Sequence, residues 1–285
     1  MIGALAIRSL HTEVVLSPKP GLVSPSDAGS HADMDIRTFI RSLRSLRRYF
    51  VATAERGASG APFRVLQQLG LRAESEMLAA TDGVNTHRGG IFTLGLLAAA
   101  AGWVVARGSR PHGRLLGDVV TAQWGVVLSK KPLHARTNGS TVAAKYGAGG
   151  ARREAVLGFP SVFDIGVPAL QQALRAGFDV RRARIQALFS LMATLEDTNL
   201  LHRGGPNGLR LVQDRAHAFL ARGGVSRPDW EQRTIAIHHE LVRHNLSPGG
   251  SADLLAASCF VLALVAKLRL KPPSHAEPGA ADLRY

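Results

Sequence analysis

The 285-residue chain carries a formal net charge of +14 with a sequence pI of about 11.2, and its 46% hydrophobic content includes only 6% aromatics. That size fills one large core or two small ones, and Ala and Leu outweigh runs of Val, Ile or Thr, which points to an all-α, single-domain helical bundle over residues 1–270 with a loose tail at 271–285. A single Cys259 inside an apolar run excludes an internal disulfide framework, and arginines scattered without interleaved aromatics suit a small polyanionic substrate or an acidic protein partner as well as they suit nucleic acid.

Residues 3–16 read as the first helix, stopped by Ser17-Pro18-Lys19-Pro20-Gly21 because proline cannot continue it. Arg8, His11 and Glu13 interrupt its apolar pattern, so it lacks the core of a secretory signal and a cytoplasmic location is expected. The following loop ends in His31-Ala32-Asp33-Met34-Asp35. Either aspartate caps the next helix, or the His and two Asp at alternate positions hold a divalent cation through hard oxygen ligands.

Ile36, Phe39, Ile40, Leu43, Leu46 and Phe50 follow helical spacing, with Arg37, Arg41, Arg44, Arg47 and Arg48 on the other face. Residues 56–61 form a glycine-rich connection before a helix at 63–80. Glu74 and Glu76 lie near its C-terminus, where the helix dipole disfavours carboxylates. Glu76, closer to the next loop, is therefore weighed as a ligand or base, and Glu74 as solvated surface.

Residues 81–92, Thr-Asp-Gly-Val-Asn-Thr-His-Arg-Gly-Gly-Ile-Phe, hold most of the polar chemistry between two apolar runs. Gly83, Gly89 and Gly90 let several backbone N–H groups point one way, and Asn85, His87 and Arg88 add donors at the mouth of a buried helix over 91–106. Asp197-Thr-Asn-Leu-Leu-His202-Arg203-Gly-Gly205 repeats Asp82-Gly-Val-Asn-Thr-His87-Arg88-Gly-Gly90 at the same offsets. Two helix–loop–helix units facing one cleft would produce such a pattern. The apolar runs 91–106 and 254–266 fall short of the roughly 20 residues a membrane span needs and read as core helices.

Residues 114–128 form a helix bearing Asp118. Residues 137–153 then give a glycine-rich loop with Lys145, Tyr146, Arg152 and Arg153, followed by Glu154; it lacks the Gly-Lys-Ser/Thr ending of a P-loop. Helices follow at 180–196, from Pro206, and at 230–245, where His238 and His239 point in different directions and read as structural. Asn245-Leu-Ser-Pro-Gly-Gly-Ser251-Ala-Asp253 opens the last helix, 254–270, with Ser251 as its cap and Asp253 in its first turn.

Together, Ser17-Pro-Lys-Pro-Gly-Leu-Val23, Gly29-Ser-His-Ala-Asp-Met-Asp35, Gly83-Val-Asn-Thr-His-Arg-Gly89, Tyr146-Gly-Ala-Gly-Gly-Ala-Arg152, Asp197-Thr-Asn-Leu-Leu-His-Arg-Gly204 and Asn245-Leu-Ser-Pro-Gly-Gly-Ser-Ala-Asp-Leu254 resemble the triphosphoribosyl-dephospho-CoA synthase family. The extended start and the Arg-rich helix look more like its malonate decarboxylase branch than its citrate lyase branch. Arg88 and Asp82 depart from the family's usual Lys and Gly, and Arg153 stands where a Gly is common.

The resemblance implies joining of ATP to 3′-dephospho-CoA with release of adenine, giving 2′-(5″-triphosphoribosyl)-3′-dephospho-CoA. Mg²⁺ is the expected cofactor, and an acidic acyl carrier protein or its holo-transferase the expected downstream partner. No nucleic-acid or membrane partner is expected, and oligomeric state is left open, a homodimer included. Lys19, Asn85, His87, Arg88, Lys145, Arg152, His202, Arg203 and Ser251 are assigned to nucleotide and phosphate, and Asp33, Asp35, Asp197 and Asp253 to metal. Glu76, Glu154 and His87 are assigned to acid–base work, and the Gly-rich polar loops of the bundle are expected to converge on one cleft. The rival readings are a Mg²⁺-dependent nucleotide N-glycosidic hydrolase and a basic all-α nucleic-acid or interaction module.

Overall fold

Residues 1–130, 142 and 145–269 are described by a computed structural model, and among them there is no strand. In chain order the helices are α1 (Ile2–Val14), α2 (Ile36–Ser45), α3 (Arg47–Ala58), α4 (Phe63–Ala80), α5 (Arg88–Ala106), α6 (Leu115–Ser129) and α7 (Gly150–Val156). A π-helical turn (Ser161–Gly166) leads to α8 (Val167–Arg175), then α9 (Val180–Thr194), α10 (Thr198–Ala221), α11 (Trp230–Arg243) and α12 (Gly249–Arg269). The fold is all-α. Much of residues 137–153 and the tail 271–285 lie outside the described residues.

At the centre runs α5, whose Leu94, Leu97 and Ala98 to Ala101 are wholly buried. Small residues let α3 approach it backbone to backbone. A Cβ at Gly57 would overlap the Ala99 carbonyl, and one at Gly102 the Ala54 carbonyl. Around this pair, α1, α6, α9 and α12 contribute to one continuous cluster of buried apolar side chains.

Both long apolar helices start earlier than their hydrophobic runs, so α5 has 19 residues and α12 has 21, enough to cross a membrane by length and composition. Buried positions make up 72% of the apolar window of α5 and 56% of that of α12, as core helices require. Three other expectations change. The helix expected over 36–50 breaks at Leu46, where the Ser45 hydroxyl donates to the Ser42 carbonyl at 2.8 Å. The helix expected from Pro206 begins at Thr198 and kinks at Gly205, whose φ of 59° suits glycine. The stretch 150–175, read as loop at its start, is two short helices and a π-helical turn.

Candidate functional site

The polar centre is assembled on the N-terminus of α12. Asp197 caps its own helix by accepting from Asn199 N at 2.9 Å, and reaches across to accept from Ser251 N at 2.9 Å and Ser251 Oγ at 3.2 Å. One buried carboxylate thus caps α10 and α12 together. Gly249 and Gly250 make the approach possible, since a Cβ on either would press on Asn199 or on Asp197. Burial raises the Asp197 carboxyl above its usual range, against the hydrogen bonds that lower it. Ser251, read as the cap of this helix, is instead the residue that Asp197 caps.

Asp253 lies one turn inward and is half-buried. It accepts from the backbone N–H of Gly90 at the mouth of α5, and a Cβ at Gly89 would overlap its carboxylate. Its carboxyl is pushed well above the usual range by burial first, then by the negative charges of Glu13 and Asp197. Glu13 is itself buried and bonded at 2.6 Å to Lys19, whose ammonium also caps the end of α1 through the carbonyls of Glu13 at 2.7 Å and Val14 at 3.4 Å.

His87 stands beside this group with 2% of its surface exposed. Its Nδ1 shares a 2.7 Å hydrogen bond with Ser42 Oγ, and its ring meets Phe39 edge-on at 4.9 Å. Nε2 is buried and has no partner. Burial, helped by the Lys19 charge, lowers its pKa to about 3, so the imidazole is neutral at pH 7. An unpartnered buried nitrogen is costly to leave so, which marks the point where a ligand atom would be recognised.

An outer ring ties the loops over this floor. Arg203 donates to Ser30 O at 2.8 Å, to Asn245 Oδ1 at 2.7 Å and to His31 Nδ1 at 3.0 Å, and His31 Nε2 meets Ser247 Oγ at 2.9 Å. His31 has its pKa lowered to about 4, by burial first and by Arg203 second. A depression of about 410 Å³ opens beside it, lined by His31, Asp33, Asp35, Arg37, Thr38 and Arg41. Arg41 also pairs with Asp82 at 3.0 Å, which brings the 81–92 loop to the same rim.

The two His-Arg pairs therefore have different surroundings. His87 is turned inward, whereas His202 is exposed on α10 without a hydrogen-bond or ion-pair partner among the described residues. Arg88 pairs with Glu74, the carboxylate read as solvated surface, while Glu76 pairs with Arg72 along α4 at 2.8 Å. Asn85 Oδ1 accepts from Arg88 N at 3.2 Å. Glu154 binds Ser161 N and Oγ at 3.1 and 2.7 Å, in a group with Asp164 and Arg114. Arg152 closes the end of α6 through the carbonyls of Leu128 and Lys130, and Lys145 is exposed over the Tyr146 ring.

The four aspartates do not form one ligand set. Asp35 caps α2 in a capping box with Thr38, Asp33 is exposed 3.6 Å from His31, and Asp197 has its oxygens occupied by backbone and hydroxyl donors. No group of three or more His, Cys, Asp or Glu side chains placed to hold a metal occurs among the described residues. A resident Mg²⁺ held by Asp33, Asp35, Asp197 and Asp253 together does not fit. Glu13, Ser42 and Glu74 have no place among the site residues expected from sequence. Glu13 did leave a signal, a charge on the stripe formed by Ala6 and Leu10.

A family model described as ATP:dephospho-CoA triphosphoribosyl transferase matches residues 1–272. A probable 2-(5″-triphosphoribosyl)-3′-dephosphocoenzyme-A synthase of Acinetobacter calcoaceticus is 41% identical over 259 residues, covering 90% of this chain and 89% of its own. The synthase of that name from Pectobacterium atrosepticum is 44% identical over 257 residues, covering 87% and 84%. No solved structure matches the chain. With nearly its whole length matched by the family and by relatives this similar, the chain belongs to the ATP:dephospho-CoA triphosphoribosyl transferase family of enzymes.

Proposed function

We propose that this protein transfers the triphosphoribosyl group of ATP to the 2′-hydroxyl of 3′-dephospho-CoA, with the chemistry on the floor formed by Asp253 and His87. The observation that carries this assignment is the Asp253 carboxylate. It has a single backbone donor, partial access to solvent and a pKa raised well above the usual carboxylate range by burial and by the Glu13 and Asp197 charges, which favours proton uptake, as a general base requires. The acceptor 2′-oxygen attacks C1′ of the ATP ribose while the C1′–N9 bond breaks and its electron pair leaves with adenine. The hydroxyl proton passes to Asp253, and adenine gains one proton overall, so the step balances.

Positive charge develops at C1′ in such a transfer, as in glycoside chemistry. Carboxylates at the floor suit that charge, while Arg37 and Arg41 at the rim suit the triphosphate. Neutral His87 offers Nε2 to the leaving base. Mg²⁺ would be supplied with ATP as part of the substrate, where it would offset triphosphate charge. The acceptor provides the sharpest test: with 2′-deoxy-dephospho-CoA in place of dephospho-CoA, adenine release is expected to stop. Undiminished release would overturn the transfer in favour of hydrolysis.

We further infer that the product is the prosthetic-group precursor for the acyl carrier subunit of a malonate decarboxylase, with that acidic carrier or its holo-transferase acting downstream. The Ser17-Pro-Lys-Pro-Gly-Leu-Val23 segment and the Arg-rich α2 support that branch.

A further inference from the structure

Outside the floor, a larger groove of about 570 Å³ runs between α1 and the α2–α3 pair, a size typical of small-molecule sites. Ile7 and Leu43 contribute to its apolar lining, and Arg8, Arg44 and Arg47 to its charged one, with His11 near one end. These three arginines are exposed and have no hydrogen-bond or ion-pair partner among the described residues. Arg41, Arg88, Arg181 and Arg215, by contrast, each hold a carboxylate.

The groove has a direction. At one end Gly3 lies against Val51, and toward the other His11 lines it together with Ile40, so α1 runs antiparallel to α2 and α3. Its His11 end heads for the side where α1 delivers Glu13 and where Phe39, next to Ile40, touches the His87 ring. On α2 the neighbouring residues divide between the two places: Ser42 bonds His87, while Leu43 and Arg44 line the groove. On α1 likewise, Leu10 faces Gly90, and Ile7, Arg8 and His11 face the groove.

We propose that this groove holds the diphosphate and pantetheine arm of the acceptor, an inference that rests on the transfer reaction above. In dephospho-CoA the reacting ribose is followed by a 5′-diphosphate and then by a long, largely uncharged arm. With the ribose at the Asp253 floor, the diphosphate meets Arg8 and Arg44, whose guanidinium groups match paired phosphate oxygens. The arm then lies over Ile7 and Leu43 toward Arg47. Charge complementarity selects the occupant, because the groove offers three free cations along an apolar strip and the acceptor offers two phosphates followed by an uncharged chain.

Calorimetric titration of the full chain separates this proposal from the reaction it rests on. Arg8→Gln and Arg44→Gln, both at exposed and unpaired positions, are expected to keep the wild-type melting temperature. Each should weaken dephospho-CoA by about tenfold or more, the size of a lost hydrogen bond to a charged group, and ATP by less than about twofold. Unchanged dephospho-CoA affinity would overturn the proposal and leave the groove to an acidic protein helix. Equal weakening of both nucleotides would overturn it too, as a loss of general positive field. Adenine release is measured in parallel. Arginine-dependent binding by a wild-type protein that releases no adenine would uphold the groove and overturn the reaction.

Discussion

Asp253→Asn is expected to lower the rate of adenine release by about 10²–10⁴-fold, the loss that follows removal of a general base, while the melting temperature rises. Asn keeps the size of the side chain and can still accept from Gly90 N, so the local structure survives. What it cannot do is take the proton of the 2′-hydroxyl. The opposite sign for stability follows from the raised pKa. The folded carboxyl binds its proton more tightly than the unfolded one, so its favourable contribution is complete at low pH and is lost as pH rises through the folded value. Once ionised, the wild-type carboxyl is a partly desolvated charge near Glu13 and Asp197, and Asn carries none. The same shift places the acid limb of the activity profile above the ordinary carboxylate range. Thermal melts and an adenine assay on the one variant check both signs. Wild-type activity would remove Asp253 from the chemistry.

Asp197→Ala is expected to act on stability rather than chemistry first, costing about 3–5 kcal/mol because two caps and the buried donors they satisfy are lost at once. A surface cap holds one helix. Asp197 holds the ends of α10 and α12, and with them the position of Asp253 one turn further on. Asp197→Asn should fall between wild type and Ala, since its amide oxygen serves one helix and its NH₂ faces donors. Chemical denaturation of the three proteins measures the order. A loss below about 1 kcal/mol for Ala would show that the two helix ends are held by packing instead.

Helical periodicity was legible because the apolar stripes are long, and α4 occupies the expected residues. The α12 start was not, because its cap comes from Asp197, far away in sequence, and local cap rules see only neighbours. The same limit explains the Asp82/Asp197 repeat. Identical spacing suggested identical tasks, yet burial turned His87 inward toward Ser42 and left His202 in solvent. It is Glu74, the carboxylate expected at the surface, that meets Arg88, while Glu76 meets Arg72, for a similar reason. Which of two nearby carboxylates meets Arg88 depends on helix phase against a loop, and spacing alone does not set it. Lys19 was legible as a polar residue in an unusual Pro-flanked turn, but its partner Glu13 became visible only when α1 was seen to bury that face.

The central claim, transfer at C1′ with the triphosphate kept whole, is tested most directly by product analysis with ATP and dephospho-CoA. One adenine should appear for each dephospho-CoA consumed, with no phosphate or pyrophosphate, and none without the acceptor. Phosphate or pyrophosphate in place of adenine, or adenine formed equally fast without dephospho-CoA, would contradict it.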